Sequence, residues 1–178
     1  MTSSPTVSRF TVFVFIQAAV WIVLDQVSKW WAESTLEFGR YEPLLGDLFG
    51  FRLVYNPGAA FGLASGFTWI LTIVAAIAVV ALLWYSFKVS GWWWAVGVGA
   101  LLGGAISHLG DRLFREPGFA IGHIVDFLDY AGFFVGNVAD IALVGGAALL
   151  VLASLFQRGP AEDTTELDES PEGSSRQP

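Results

Sequence analysis

The chain has 178 residues, 54% of them hydrophobic and only 14% charged, with a mean hydropathy of +0.60. That balance excludes an ordinary soluble globule and points to a single polytopic membrane domain. The net charge of -7 does not describe a binding face, because Glu162, Asp163, Glu166, Asp168, Glu169 and Glu172 crowd the C-terminal tail. Cysteine is absent, which excludes disulfides, thiol nucleophiles and Cys-ligated metals together.

In chain order, the N-terminus MTSSPTVSRF carries one Arg before a long apolar run and has no small-residue cleavage site. An uncleaved first span is expected there, not a removable signal peptide. Crossing a hydrocarbon core of about 30 Å takes roughly 20 helical residues. Four stretches meet that length: residues 10–31, 67–87, 92–109 and 133–156. In the third, Gly99 with Gly103 and Ala100 with Gly104 fall at the small-xxx-small spacing that lets helix backbones approach closely. Trp30, Trp31 and Trp69 toward one side, and Trp84, Trp92, Trp93 and Trp94 toward the other, form interfacial belts.

The connections are unequal. Residues 88–91 make a tight turn, whereas 32–66 and 110–132 are long enough to hold structure outside the bilayer. Within 38–62, Phe49, Phe51, Leu53 and Tyr55 alternate with Gly50, Arg52, Val54 and Asn56, a period of two that predicts a strand with one covered face. It ends at Asn56-Pro57-Gly58, a turn signal. Residues 1–157 are read as the membrane domain, and the polar tail 158–178 as disordered.

Four spans fix a parity. The end of the first, the start of the second, the end of the third and the start of the fourth share one side of the membrane. Asp25, Lys29, Asn56, Gly58, His108, Asp111, Arg112, Asp126, Asn137 and Asp140 all fall there. Each has a plain structural reading. Asp25 and Lys29 suit a helical ion pair worth about 0.2–0.5 kcal/mol, and Asn137 suits a helix cap. Asp140 is the costly one, since a carboxylate at bilayer depth costs roughly 2.5–3.5 kcal/mol on insertion scales and marks a functional position by default. A small transporter or proton relay is the rival class, without an internal repeat to support it. A non-catalytic assembly partner using the tail is a third. A zinc site built on His108 and His123 lacks the HExxH spacing.

The segments Asp25-Gln26-Val27-Ser28-Lys29, Tyr55-Asn56-Pro57-Gly58-Ala59-Ala60-Phe61-Gly62, Gly104-Ala105 with Asp111-Arg112, Val125-Asp126-Phe127 and Asn137-Val138-Ala139-Asp140 together resemble lipoprotein signal peptidase (signal peptidase II). The resemblance runs from about residue 10 to 156, with the motifs in the family's order. It implies an all-α membrane protein of four transmembrane helices with a small extracytoplasmic β-cradle. It also implies an intramembrane aspartic endopeptidase that removes signal peptides from prolipoproteins, cutting before a diacylglyceryl cysteine. Asp126 and Asp140 match the catalytic pair, Asp25, Lys29, Asn56, Gly58, Arg112 and Asn137 match supporting positions, and His108 is counted with these as a replacement. No cofactor or metal is implied. The expected partners are lipidated prolipoproteins and membrane lipids, without nucleic acid, and the expected form is a monomer in the bacterial cytoplasmic membrane. Two positions depart from the family pattern: His108 stands where Asn is usual, and Gly136 where an aromatic residue commonly precedes Asn137.

Charge counting does not orient the chain. Lys29, Arg40, Arg52, Arg112 and Arg115 lie on the motif side, against Arg9, Lys88 and Arg158. Setting aside Lys29 and Arg112, which the motifs account for, leaves three on each side. An outward-facing site is therefore what the resemblance implies.

Overall fold

The computed structural model describes residues 8–58 and 65–157. Four helices in it are long and apolar enough to cross a membrane: α1 (Arg9–Thr35), α2 (Thr68–Ser86), α3 (Trp92–Phe114) and α4 (Val138–Gln157). Between them lie four strands, β1 (Glu42–Leu45), β2 (Phe49–Asn56), β3 (Ile124–Tyr130) and β4 (Phe134–Gly136). These make one antiparallel sheet in the order β1-β2-β3-β4. The tail 158–178 and the residues 59–64 that follow the Asn56-Pro57-Gly58 turn lie outside the described residues.

Helix α3 is the inner helix. It packs against all three others, and 56% of its apolar window is buried, against 17–22% for α1, α2 and α4. Its glycines explain why. A Cβ at Gly103 would lie 2.8 Å from the Ala18 carbonyl of α1, and one at Gly104 would lie 2.8 Å from the Ala139 carbonyl of α4. On these two faces the backbones touch, so α1 and α4 can both press on α3 without a layer of side chains between them. Gln17 adds a polar tie, its Nε2 donating to the Val96 carbonyl at 3.0 Å.

The 27 residues of α1 make a rod of about 40 Å at 1.5 Å per residue, longer than the roughly 30 Å hydrocarbon core. Its last turns carry the sheet. Ala32 and Leu36 bury against Leu53, Val125, Phe127 and Leu128, and Trp31 meets Phe51 and Phe127 edge-on. Cradle and bundle thus share a seam of apolar side chains at one end of the helices.

The structure differs from the sequence reading in four places. Helix α1 continues to Thr35 and α3 to Phe114, beyond the expected ends at 31 and 109, because their terminal polar residues find partners inside the fold. Helix α4 starts at Val138, not at 133, since Phe134, Val135 and Gly136 pair with Tyr130, Asp129 and Leu128; the apolar run there is strand, not span. Strand β3 carries no signal in the sequence: Ile124 to Asp129 are all buried, so no alternation marks it. In β2 the expected covered face is broken. Phe51 pairs with Leu128 but Val54 with Asp126, three steps against two, which is a bulge. Leu53 is therefore buried while Tyr55 is 41% exposed.

Close approach at Gly103 yields a direct test. Gly103→Val should lower the unfolding midpoint in detergent, with a cost of about 1–3 kcal/mol for overpacking. Gly110→Ala, on the same helix with nothing within 4 Å of the added atom, should hold or slightly raise the midpoint. Equal behaviour of the two variants in a thermal-shift assay would contradict the packing described.

Candidate active site

Three elements converge at the seam between the helices and the sheet. From α1, Lys29 Nζ lies 2.5 Å from Asp25 Oδ2 and 2.7 Å from Asp111 Oδ2 of α3. Asp25 and Lys29 are wholly buried and Asp111 nearly so. Every remaining oxygen is occupied. Ser107 Oγ donates to Asp25 Oδ2 at 2.7 Å, while Gln26 Nε2 at 2.9 Å and Arg115 Nε at 2.8 Å both donate to Asp111 Oδ1. Asp25 Oδ1 accepts from the Ala139 N–H at 2.8 Å, so one carboxylate of α1 holds the first turn of α4.

That turn begins with a reciprocal cap. The Asp140 N–H donates to Asn137 Oδ1 at 3.1 Å, and the Asn137 N–H donates to Asp140 Oδ2 at 2.9 Å. This is a capping box, in which two of the helix's unpartnered donors are satisfied by side chains three residues apart. Asn137 also uses its amide nitrogen, donating to Asp126 Oδ1 of β3 at 2.6 Å and to the Val125 carbonyl at 3.4 Å. Asn137 therefore joins the two carboxylates, its side-chain amide on Asp126 and its backbone N–H on Asp140.

Asp126 receives a second donor. The β2 bulge sets Asn56 opposite Ile124, and Asn56 Nδ2 reaches Asp126 Oδ2 at 3.0 Å. The other end of the same side chain, Oδ1, accepts from the Gly58 N–H at 2.9 Å, which fixes the turn after β2. Arg112 holds that turn from below. Its guanidinium donates to the carbonyls of Asn56 at 3.0 Å, Gly122 at 2.9 Å and Gly58. Thr68 Oγ1 donates to the Pro57 carbonyl at 2.7 Å and Thr72 Oγ1 to the Ala120 carbonyl at 2.8 Å, tying α2 to both connections.

A cleft of about 240 Å³ opens here, lined by Asn56, Gly58, His108, Arg112, Asp126 and Asp140 with Leu71, Ala75, Ile124, Phe134 and Leu143. Asp126 is 3% exposed, whereas the Asp140 side chain is 28% exposed. His108 Nε2 faces Asn137 Oδ1 at 3.2 Å and Asp140 Oδ1 at 3.6 Å. Burial first, and then the charge of Asp140, push the Asp126 carboxyl up to about 7, against the opposing hydrogen bonds from Asn56 and Asn137. A carboxyl poised near neutrality beside a second carboxylate, in a cleft shared with His108 and Arg112, can give and take a proton. Among the described residues no three His, Asp or Glu side chains are placed to hold one metal ion.

All nine site residues that the resemblance implies meet at this seam. Asn56, Gly58, His108, Arg112, Asp126 and Asp140 line the cleft, while Asp25, Lys29 and Asn137 stand behind it. Ala59, Ala60, Phe61 and Gly62 lie outside the described residues. The sequence reading quotes Gln26 within a motif but gives it no role, and it contains neither Ser107, which lies on the motif side by parity, nor Thr68 and Thr72, which look like ordinary span residues. It also passed over Phe134, hidden in an apolar run.

Residues 17–156 match the family model for signal peptidase (SPase) II. The chain is 48% identical over 139 residues to a lipoprotein signal peptidase of Mycobacterium avium, covering 78% of this chain and 76% of that one. It is 42% identical over 156 residues to one of Rhodococcus jostii, covering 88% and 79%. A solved structure described as a bacterial membrane enzyme at 2.3 Å resolution superposes with a TM-score of 0.72 at 25% identity, covering 84% of this chain and 93% of that one. A second, at 1.9 Å resolution, gives 0.69 at 26% identity.

The buried cation is the testable feature of this geometry. Lys29→Met leaves Asp25 and Asp111 inside the bundle without their shared counter-charge, and removing one partner of a buried ion group costs about 3–5 kcal/mol. The detergent-solubilised variant should melt well below the parent. A parental midpoint would show that the cluster is not under this load.

Proposed function

The chain belongs to the signal peptidase II family, whose members remove signal peptides from prolipoproteins, and we propose that it does so as an aspartic endopeptidase with Asp126 and Asp140 as the catalytic pair. The observation that carries this reading is Asn137 hydrogen-bonded to both carboxyl groups in one cleft, its side-chain amide donating to Asp126 and its backbone N–H to Asp140. In this reading the pair holds one proton up to about pH 7, because burial and then the charge of Asp140 keep the proton on Asp126. The ionised member takes a proton from a water lying between them as the water attacks the scissile carbonyl carbon. The protonated member gives its proton to the carbonyl oxygen. Collapse of the tetrahedral diol then breaks the C–N bond, and a carboxyl proton passes to the departing amine.

The supporting residues act by position. Asn56 and Asn137 aim Asp126, while Asp25 and Lys29 anchor the α4 turn that carries Asp140. Arg112 uses its donors on the carbonyls of Asn56, Gly58 and Gly122 and so shapes the cleft floor. The substrate is a prolipoprotein cut just before a cysteine that already carries diacylglycerol. The apolar lining of Leu71, Ala75 and Leu143 supports a lipidated chain. The protein acts as a monomer in the bacterial cytoplasmic membrane, with the cleft toward the extracytoplasmic face.

Asp126→Asn and Asp140→Asn should each lower cleavage of a diacylglyceryl prolipoprotein about ten-thousandfold while the protein still inserts and elutes as the parent does. Full activity in either variant would sink the pair. The parent's pH profile is a second check. Asp126 loses its proton as pH rises through about 7, and the acid is gone. Accordingly kcat/KM should fall about tenfold per unit above that point; a profile flat to pH 9 would contradict the shared proton.

A further inference from the structure

Phe134 occupies a place that the reaction chemistry leaves unused. Three clefts meet at the carboxylates, and Phe134 is the one residue among those described that lines all three. Besides the central cleft, a second of about 220 Å³ spans the sheet from Val54, Tyr55, Asn56 and Pro57 across Asp126 to Val135. The third, of about 440 Å³, runs along the outer side of α4 past Ile141, Val144 and Gly145, with Tyr130 at its rim and Asp140 at its inner end. The two outer clefts differ in chemistry. The strand-side cleft has Asn56 and Asp126 among its walls, suited to an extended peptide. The helix-side cleft is walled by α4 side chains that stand exposed, Ile141 by 48% and Val144 by 71%, and is suited to hydrocarbon.

The ring is held between them by design of the hairpin. Asp129 is wholly buried, accepting from the Gly132 N–H at 2.6 Å and facing Arg52 Nε at 2.9 Å, which fixes the β3–β4 turn. Phe134 then stacks on Tyr130 at 6.0 Å with planes 24° apart. Gly136 completes the arrangement. A Cβ there would lie 2.6 Å from Phe134 Cε1 and 2.8 Å from Asp140 Oδ2, so a side chain at 136 would displace either the ring or the carboxylate. Glycine lets Phe134 lie directly against the site from two residues upstream.

We propose that Phe134 is a specificity-determining residue whose ring divides the site, sending the peptide to the strand-side cleft and the acyl chains of the lipidated residue to the cleft along α4. The division rests on the substrate reading given above. A bond cut next to a lipidated residue has two chemically different branches at one point, and a rigid apolar wall there prevents either from entering the other's groove. Negative selection of this kind acts on the ratio of rates for competing substrates, not on the chemical step.

The test compares prolipopeptides bearing long and short acyl chains. The parent should prefer the long-chain substrate, and Phe134→Ala should reduce that ratio of kcat/KM about tenfold, through KM. Phe134→Leu should recover part of it. An unchanged ratio in Phe134→Ala, a loss confined to kcat, or a parent indifferent to acyl length would each overturn the proposal, the last meaning that the α4 cleft holds membrane lipid only. The same ratio is then measured by binding of the two lipopeptides in the Asp126→Asn background, with and without Phe134→Ala, where no turnover is needed. Lost discrimination in binding upholds the division even if the parent fails to cleave, in which case the peptidase reading falls alone. Retained discrimination sinks the division whatever the activity.

Discussion

One buried ammonium organises this molecule. Lys29 sits between Asp25 and Asp111 with no exposure of its own, deep in a largely apolar bundle. Three such charges are costly to desolvate, and mutual attraction offsets that cost only when the remaining oxygens are also hydrogen-bonded. Ser107, Gln26, Arg115 and the Ala139 N–H meet that condition. Because those donors come from α1, α3, the residue after α3, and α4, the cluster is satisfied in only one helix register. A slip of one residue strands a charge, so the ion group specifies the arrangement more than it stabilises it.

The register then propagates to the cleft through backbone groups. Asp25 grips Ala139, Ala139 lies in the first turn of α4, and that turn is capped by Asn137 and Asp140 on each other. The structural and functional readings of the Asn-Val-Ala-Asp segment are therefore not alternatives. Asp140 Oδ2 caps the helix while its Oδ1 faces the cleft, and a carboxylate at a helix N-terminus is favoured by the helix dipole. The cost of a charge at that depth is met in part by the helix that carries it.

Much of this was legible in the sequence because membrane crossing is a strong constraint. Parity alone put Asp25, Lys29, His108, Arg112, Asp126 and Asp140 on one side, without knowing any contact. What escaped was anything carried by non-local pairing. Strand β3 is buried on both faces and shows no period, so Asp126 could be assigned to a side but not to a strand. The start of α4 was placed five residues early, because Phe133, Phe134 and Val135 are as apolar in a strand as in a span. In β2 the alternation was real, but a bulge changed its phase halfway along, and only the partner strand reveals a bulge.

That bulge bears on why the two carboxylates sit on different kinds of element. Asp126 rides on a strand whose register is set by β2, and Asp140 on a helix whose start is set by α1. Nothing in either element alone fixes the distance between them. The Asn137 amide does, and its direction is determined: Nδ2 faces two acceptors, Asp126 Oδ1 and the Val125 carbonyl, while Oδ1 faces the Asp140 N–H and His108 Nε2. Reversing the amide would set its NH2 against the Asp140 N–H and its oxygen against a carboxylate and a carbonyl, leaving buried groups unsatisfied. A proton on His108 Nε2 adds a donor to the oxygen side and reinforces the same direction. The sheet and the bundle are thus joined at the cleft by an orientational choice, and it is this choice that brings a strand carboxylate and a helix carboxylate to one cleft.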